Sequence, residues 1–312
     1  MATTWMPIYG NVQVEEGVIT FRPVPPPPEP STNPAQPPHA FLRSNLQFDQ
    51  GVIEWQTMVS DSSSSCQISL STTAREDFFA GMHTLGAPFG FAKIVNGAWE
   101  EKGGVGHGTP LVPNQWYDLK LHVHGSNLDL YVNDVQMIST TSPITRGTVG
   151  LFMQGRHEIV VRNIRTVSTD PVCFVVMQFT PEYNSLYEEV IRPACERNGY
   201  KVVRADDFYH CGMIIDDVTK SIRESALIVV DVTPDNANVF YELGLAHGIG
   251  KDTILLCDRK REKLPFDISG FRTIFYENSI AGKRQVDERL EKHLINLNQQ
   301  ATARPTPIPK KI

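Results

Sequence analysis

The residues of this chain best suited to chemistry gather between Ile228 and Lys251, in IVVDVTPDNANVFYELGLAHGIGK. An apolar run ends in Asp231, an Asn-rich turn follows, and Glu242 falls in the second turn of the helix expected next. A lone carboxylate there has two readings. As a charge near the positive end of a helix it contributes ~0.3–1 kcal/mol. Held among apolar neighbours it is desolvated, its pKa rises, and it is prepared for acid–base or nucleophilic work. Helical spacing puts Glu242 on one face with Leu245, Ala246 and Ile249. Asp231 either caps the turn after its strand or binds a ligand hydroxyl or base. Arg204, Asp206 and Asp207, in RADDF, place further charge after another apolar strand. They read either as a surface ion pair and turn or as part of the same site. His247 lies about 140° around the helix from Glu242 and makes a poor partner for it. Gly244 and Gly248 each cost ~1 kcal/mol relative to alanine, which points to close approach by another surface. The sequence has no GxGxxG or GxxxxGK[ST] loop, no local Ser/His/Asp or Cys/His pattern and no metal-ligand spacing.

The elements that must position these residues begin at Val172. From there strand and helix patterns alternate: VCFVVMQF, a helix to Gly199, YKVVRAD, a helix over MIIDDVTKSIRES, ALIVVDV, the Glu242 helix, DTILLCD, RTIFYE and a closing helix. This predicts a flavodoxin-like α/β domain over 172–298 with a five-stranded parallel sheet. Strand order 2-1-3-4-5 puts the ligand crevice beyond the carboxyl ends of strands one and three, where MQFTPEY and DVTPDNANVFYE lie. Asn238 is expected to cap the Glu242 helix, with Val239 opening it. Pro193 should bend the first helix.

Residues 1–168 read differently. Short alternating segments such as WYDLKLHVHG and NLDLYVND, separated by Gly, Asn, Asp and Ser, predict an all-β jelly-roll sandwich. Leu119, Leu121 and Val123 face one way and Lys120, His122 and His124 the other. Trp116 and Tyr131 are assigned to the core, and Trp99 to an exposed loop. Nine prolines between Pro23 and Pro38 make a stiff surface connector, with a docking site for a proline-reading module as the other reading. Residues 299–312 read as a disordered tail.

A net charge of −6 and a pI near 5.9 argue against general nucleic-acid binding. No apolar run reaches the ~20 residues of a membrane span, and the start lacks a leader pattern. The five cysteines are odd in number and show no CxxC; Cys173, Cys195 and Cys257 read as buried thiols. The expectation is a soluble cytoplasmic protein.

The segment from Cys173 to about Tyr276 resembles the nucleoside 2-deoxyribosyltransferase-like and bacterial TIR-like superfamily. FVVMQF, RADD, IRESALIVVDVT and above all NANVFYELGLAHGIGK carry the resemblance. It implies that Glu242 is the catalytic carboxylate in N-glycosidic bond cleavage or transfer on NAD, a nucleoside or a nucleotide. NAD would be a substrate, and no cofactor is implied. Asp231 matches the transferase's strand aspartate. Asn236 falls near a second loop acid of the family, and Gln178 stands where the TIR-like relatives carry a proline. Phe179 would wall the nucleoside pocket, with Arg204, Asp206, Asn236 and Asn238 around it. The resemblance also implies a homo-oligomer and a place in bacterial anti-phage defence. A non-catalytic nucleotide-binding signalling protein is the alternative. NQWYDLKLHVHGSNLDLYVND resembles concanavalin-like or laminin-G-like sandwiches, which implies a recognition or assembly module with a carbohydrate or protein ligand.

Overall fold

The computed structural model describes residues 3–24, 37–73, 76–205, 214–261 and 263–303. Most of the proline-rich connector (25–36), Asp206 and Asp207, and residues 304–312 of the expected tail lie outside the described residues.

Among the described residues fourteen strands come first. They are β1 (Trp5–Tyr9), β2 (Val12–Glu15), β3 (Val18–Phe21), β4 (His39–Phe48) and β5 (Gly51–Val59). Then come β6 (Ser65–Thr73), β7 (Glu76–Thr84), β8 (Ala87–Val95), β9 (Ala98–Val105) and β10 (Trp116–His124). The last four are β11 (Asn127–Val132), β12 (Val135–Thr141), β13 (Gly147–Gln154) and β14 (Ile159–Ser168). They form two seven-stranded antiparallel sheets, in the orders β1-β4-β13-β6-β7-β8-β9 and β12-β11-β10-β5-β14-β3-β2. Period-two alternation drives the packing. Tyr117, Leu119, Leu121 and Val123 of β10 and Leu128, Leu130 and Val132 of β11 point into one core with Ile53, Trp55, Ile68 and Phe91. The same alternation corrects two assignments. Trp116 and Tyr131 have the opposite parity and lie outside that core: Trp116 is capped by the Arg162 guanidinium at 3.8 Å, and Tyr131 packs on His122 at 4.7 Å. Trp99 is not an exposed loop residue. It sits in β9, half-buried against Phe79 (4.6 Å) and Phe152 (5.6 Å).

The α/β domain follows. Its strands are β15 (Val172–Val176), β16 (Lys201–Arg204), β17 (Leu227–Asp231), β18 (Thr253–Asp258) and β19 (Thr273–Tyr276). All are parallel, in the order β16-β15-β17-β18-β19, which is the expected 2-1-3-4-5. Helices cover both faces: α1 (Pro181–Leu186), α2 (Arg192–Arg197) and α5 (Ile280–Ala303) pack on one, α3 (Ile214–Glu224) and α4 (Ala237–Gly248) on the other. Between α1 and α2 the chain makes a π-helical turn, Tyr187–Ile191. Pro193 explains it: the ring has no N–H and crowds the carbonyl one turn back, and a wider turn accommodates both losses. α5 runs on to Ala303, past the boundary expected at 298.

The two domains meet at the amino ends of the parallel strands. Gly125 and Ser126, at the β10–β11 turn, dock on the end of α3, where the Ser126 amide donates to the Arg223 carbonyl (3.0 Å). Gly125 has φ +58°, and a Cβ there would collide with the Ser225 carbonyl, so only glycine fits. Within the α/β domain the buried Lys251 ammonium braces this docking point, donating to the carbonyls of Arg223 (2.6 Å) and Ser225. The Gln50 amide reaches the Asp170 carbonyl (2.6 Å).

Candidate active site

At the carboxyl ends of β15 and β17 the chain enters two loops. The second leads into α4, and Asn236, not Asn238, caps that helix. Its backbone is extended (φ −120°, ψ 112°), and its side chain accepts from the Asn238 amide at 3.0 Å. The helix therefore starts at Ala237, two residues before the expected Val239. Asn238 itself is exposed and contributes its backbone N–H. A cap of this kind contributes about 1 kcal/mol and fixes where the helix begins.

Glu242 lies in the second turn of α4, partly buried. Val239, Leu243 and Ala246 of α4 are buried in the core, with Leu245 and Ile249 packed at its margin. Among the described residues burial is the one cause acting on the Glu242 carboxyl, and it raises the pKa from 4.5 to about 7. Among the described residues no hydrogen bond or ion pair reaches it. The desolvated reading from the sequence matches this environment. A surface charge answering the helix dipole would have no cause to rise so far.

Asp231 is placed otherwise. It is 1% exposed, at the end of β17. The Thr233 amide donates to Oδ1 at 2.9 Å, the Thr233 hydroxyl donates to the same oxygen, and the Tyr276 hydroxyl donates to Oδ2 at 2.6 Å. Burial lifts its pKa to about 6, against the pull of those bonds. Oδ1 is committed to the turn, which is the capping role, and Oδ2 to Tyr276 of β19. The Asp258 amide donates to the Thr233 hydroxyl oxygen (2.9 Å), so β17, β18 and β19 share one network at their carboxyl ends.

The other expected residues fall into two groups. Gln178 and Asn236 meet across the crevice at 3.5 Å, tying the loop after β15 to the cap of α4. Phe179, 47% exposed, lies under the Arg204 guanidinium at 5.2 Å. Arg204 is itself buried, stacked on Tyr187 (4.1 Å) and bonded to Asn184 (3.1 Å). Asp206 lies outside the described residues. Gly244 and Gly248 are exposed, and among the described residues nothing lies within 4 Å of a Cβ at either position; the close approach expected of them is not made there. His247 stacks on Phe271 (4.3 Å) and bonds Thr253 (3.1 Å), away from any catalytic use. Among the described residues no cluster of three metal-ligating side chains occurs, and no helix is long and apolar enough to cross a membrane. Cys173, Cys195 and Cys257 are buried free thiols. A cavity of about 360 Å³ opens between the domains beside Asp49, Arg146, Tyr200 and Asp252, at the opposite end of the sheet from Glu242.

One contributor escaped the sequence reading. Arg261, in the loop after β18, reaches back to the loop before α4. The signal for it was an arginine shortly after an Asp-ended strand, at the carboxyl edge where the crevice had been located.

No family model matches the chain, and no curated protein matches it. Among solved structures, the chain is similar to a carbohydrate-binding module, CBM66, from Bacillus subtilis: 18% identity over 51% of this chain and 92% of that one, TM-score 0.42. It is also similar to a Bacillus licheniformis beta-glucanase, at 13% identity over 53% of this chain and 92% of that one, TM-score 0.38. A Bacillus subtilis protein of unknown function with a galectin-like fold gives 10% identity over 52% and 87%, TM-score 0.36. These likenesses lie in the sandwich.

Proposed function

We propose that the α/β domain cleaves or transfers the N-glycosidic bond of NAD, or of a nucleoside or nucleotide, with Glu242 as the carboxylate at the anomeric carbon. The observation that carries this reading is Glu242 itself: a carboxyl raised to about 7 by burial, without a partner among the described residues, beside the switch point of a 2-1-3-4-5 sheet. In its ionised form Glu242 attacks or stabilises the developing oxocarbenium carbon while the C–N bonding electrons leave with the base. Water or an acceptor hydroxyl then completes the exchange. Phe179 offers a ring wall, and the Gln178–Asn236 pair offers amides. Asp231 and Asp258 are buried and bonded to the chain, so neither is free to protonate a departing base. That favours a leaving group that needs no proton, such as the cationic nicotinamide of NAD. The sandwich serves as a recognition or assembly module with a carbohydrate or protein ligand.

The test incubates the full chain with NAD and with purine and pyrimidine nucleosides and measures released nicotinamide or base, with Glu242→Ala as control. Release is expected from NAD, rising as pH passes through about 7 and Glu242 ionises. Absence of release from every substrate, under conditions where the chain self-associates, overturns the enzymatic reading. The second reading is binding without turnover, and the commitment of Asp231 to Thr233 and Tyr276 favours it. Calorimetric NAD binding without release would establish it.

A further inference from the structure

Arg261 bridges two loops at the carboxyl edge of the parallel sheet. Its Nη1 donates to the carbonyls of Val232 (2.8 Å) and Thr233 (3.2 Å), and Nη2 bonds the Asp235 carboxylate. Nε donates to the Lys263 carbonyl (3.0 Å). The guanidinium also lies over the Phe240 ring, in the first turn of α4, at 5.5 Å. The side chain is only 10% exposed, while Asp235 is 85% exposed. The ion pair with Asp235 is therefore the weaker part of the contact, since water screens an exposed pair. The weight rests on the two backbone carbonyls and the ring. Those carbonyls belong to residues between the end of β17 and the Asn236 cap, a stretch without regular structure of its own. A planar guanidinium with donors in a fixed fork suits this task, and a lysine ammonium does not reproduce it.

We propose that Arg261 is a positioning residue of the Glu242 site: by clamping residues 232–235 and the Phe240 ring it fixes the start of α4 and thereby the place of Glu242. The inference rests on Glu242 being the working carboxyl, as argued above, but its test does not depend on turnover.

Three full-length chains are compared: wild type, Arg261→Met and Arg261→Lys. Two quantities are read: amide hydrogen exchange over residues 232–240, and the pH midpoint of the Glu242 carboxyl by carbon NMR. In Arg261→Met, exchange is expected to quicken at least ~10-fold, the loss of protection that a released loop shows. The midpoint is expected to fall from about 7 toward 4.5 as water reaches the carboxyl. Arg261→Lys, which keeps the charge over Phe240 but not the fork, should lie between. Unchanged exchange and midpoint overturn the proposal. Faster exchange with an unmoved midpoint overturns it too, because Arg261 would then only staple the loop. If Arg261→Met does not fold, Arg261→Lys carries the same two readouts with the same criteria. A wild-type chain that releases no nicotinamide sinks the enzymatic reading and leaves this result standing.

Discussion

Replacing Glu242 by glutamine removes the charge and keeps the shape, and the outcome should depend on pH with a definite sign. The carboxyl titrates at its ordinary 4.5 when unfolded and at about 7 in the fold. Between those values the native state binds more protons than the unfolded state, so stability falls as pH rises. The penalty is absent below pH 4.5, grows through the interval, and is complete above about 7. A rise of that size corresponds to at most about 3 kcal/mol. Glu242 is only partly buried, and screening by water reduces the figure to about 1–2 kcal/mol. Glu242→Gln should therefore match the wild type at pH 4.5 and exceed its stability by about 1–2 kcal/mol at pH 8. Urea unfolding must be followed by helical circular dichroism. All four tryptophans, Trp5, Trp55, Trp99 and Trp116, lie in the sandwich, so their fluorescence reports the wrong domain. Equal stability of the two chains at pH 8 would refute the desolvation of Glu242, and with it the physical basis for reading it as a catalyst.

Two further perturbations test the frame around the site. Gly125→Ala puts a Cβ against the Ser225 carbonyl at φ +58°; a loss of about 1–3 kcal/mol is expected. It should appear as separated unfolding of the sandwich and the α/β domain, measured by the tryptophan and helical signals side by side. Tyr276→Phe removes the donor to Asp231 Oδ2 and leaves a buried carboxylate oxygen without its bond. It should cost about 1–3 kcal/mol in urea unfolding of the α/β domain, and an unchanged midpoint would remove Tyr276 from the network.

Periodicity made the architecture legible. Strands such as Leu227–Asp231 are apolar up to their last residue because both faces are covered, and the β10–β11 hairpin alternates because one face is. The errors were local. Trp116 and Tyr131 were assigned to the core because they lie in alternating strands, although their parity puts them on the outer face. Asn236 and Asn238 are equally good caps by type, and the choice between them depends on which backbone is extended, a three-dimensional fact. Pro193 announced a disturbance in the helix but not that a π turn would absorb it. At the site, Glu242 was legible because its neighbours at helical spacing are apolar. The engagement of Asp231 was not, because Tyr276 lies far along the chain and meets it only when β19 takes its place in the sheet. Arg261 was missed because most of its hydrogen bonds go to backbone carbonyls, which no side-chain pattern reveals.

The seam between the domains has a consequence for what the sandwich can do. The contacts described between them land at the amino ends of the parallel strands, on Arg223 and Ser225. Glu242 belongs to the other end. A five-residue strand such as β17 separates the two ends by roughly 16 Å of backbone. A molecule held by the sandwich is therefore a poor candidate for direct contact with the carboxylate. On the proposed function the geometry would be that of a mooring: the sandwich would fix where the α/β domain is stationed, and the crevice at the far end would choose what enters it.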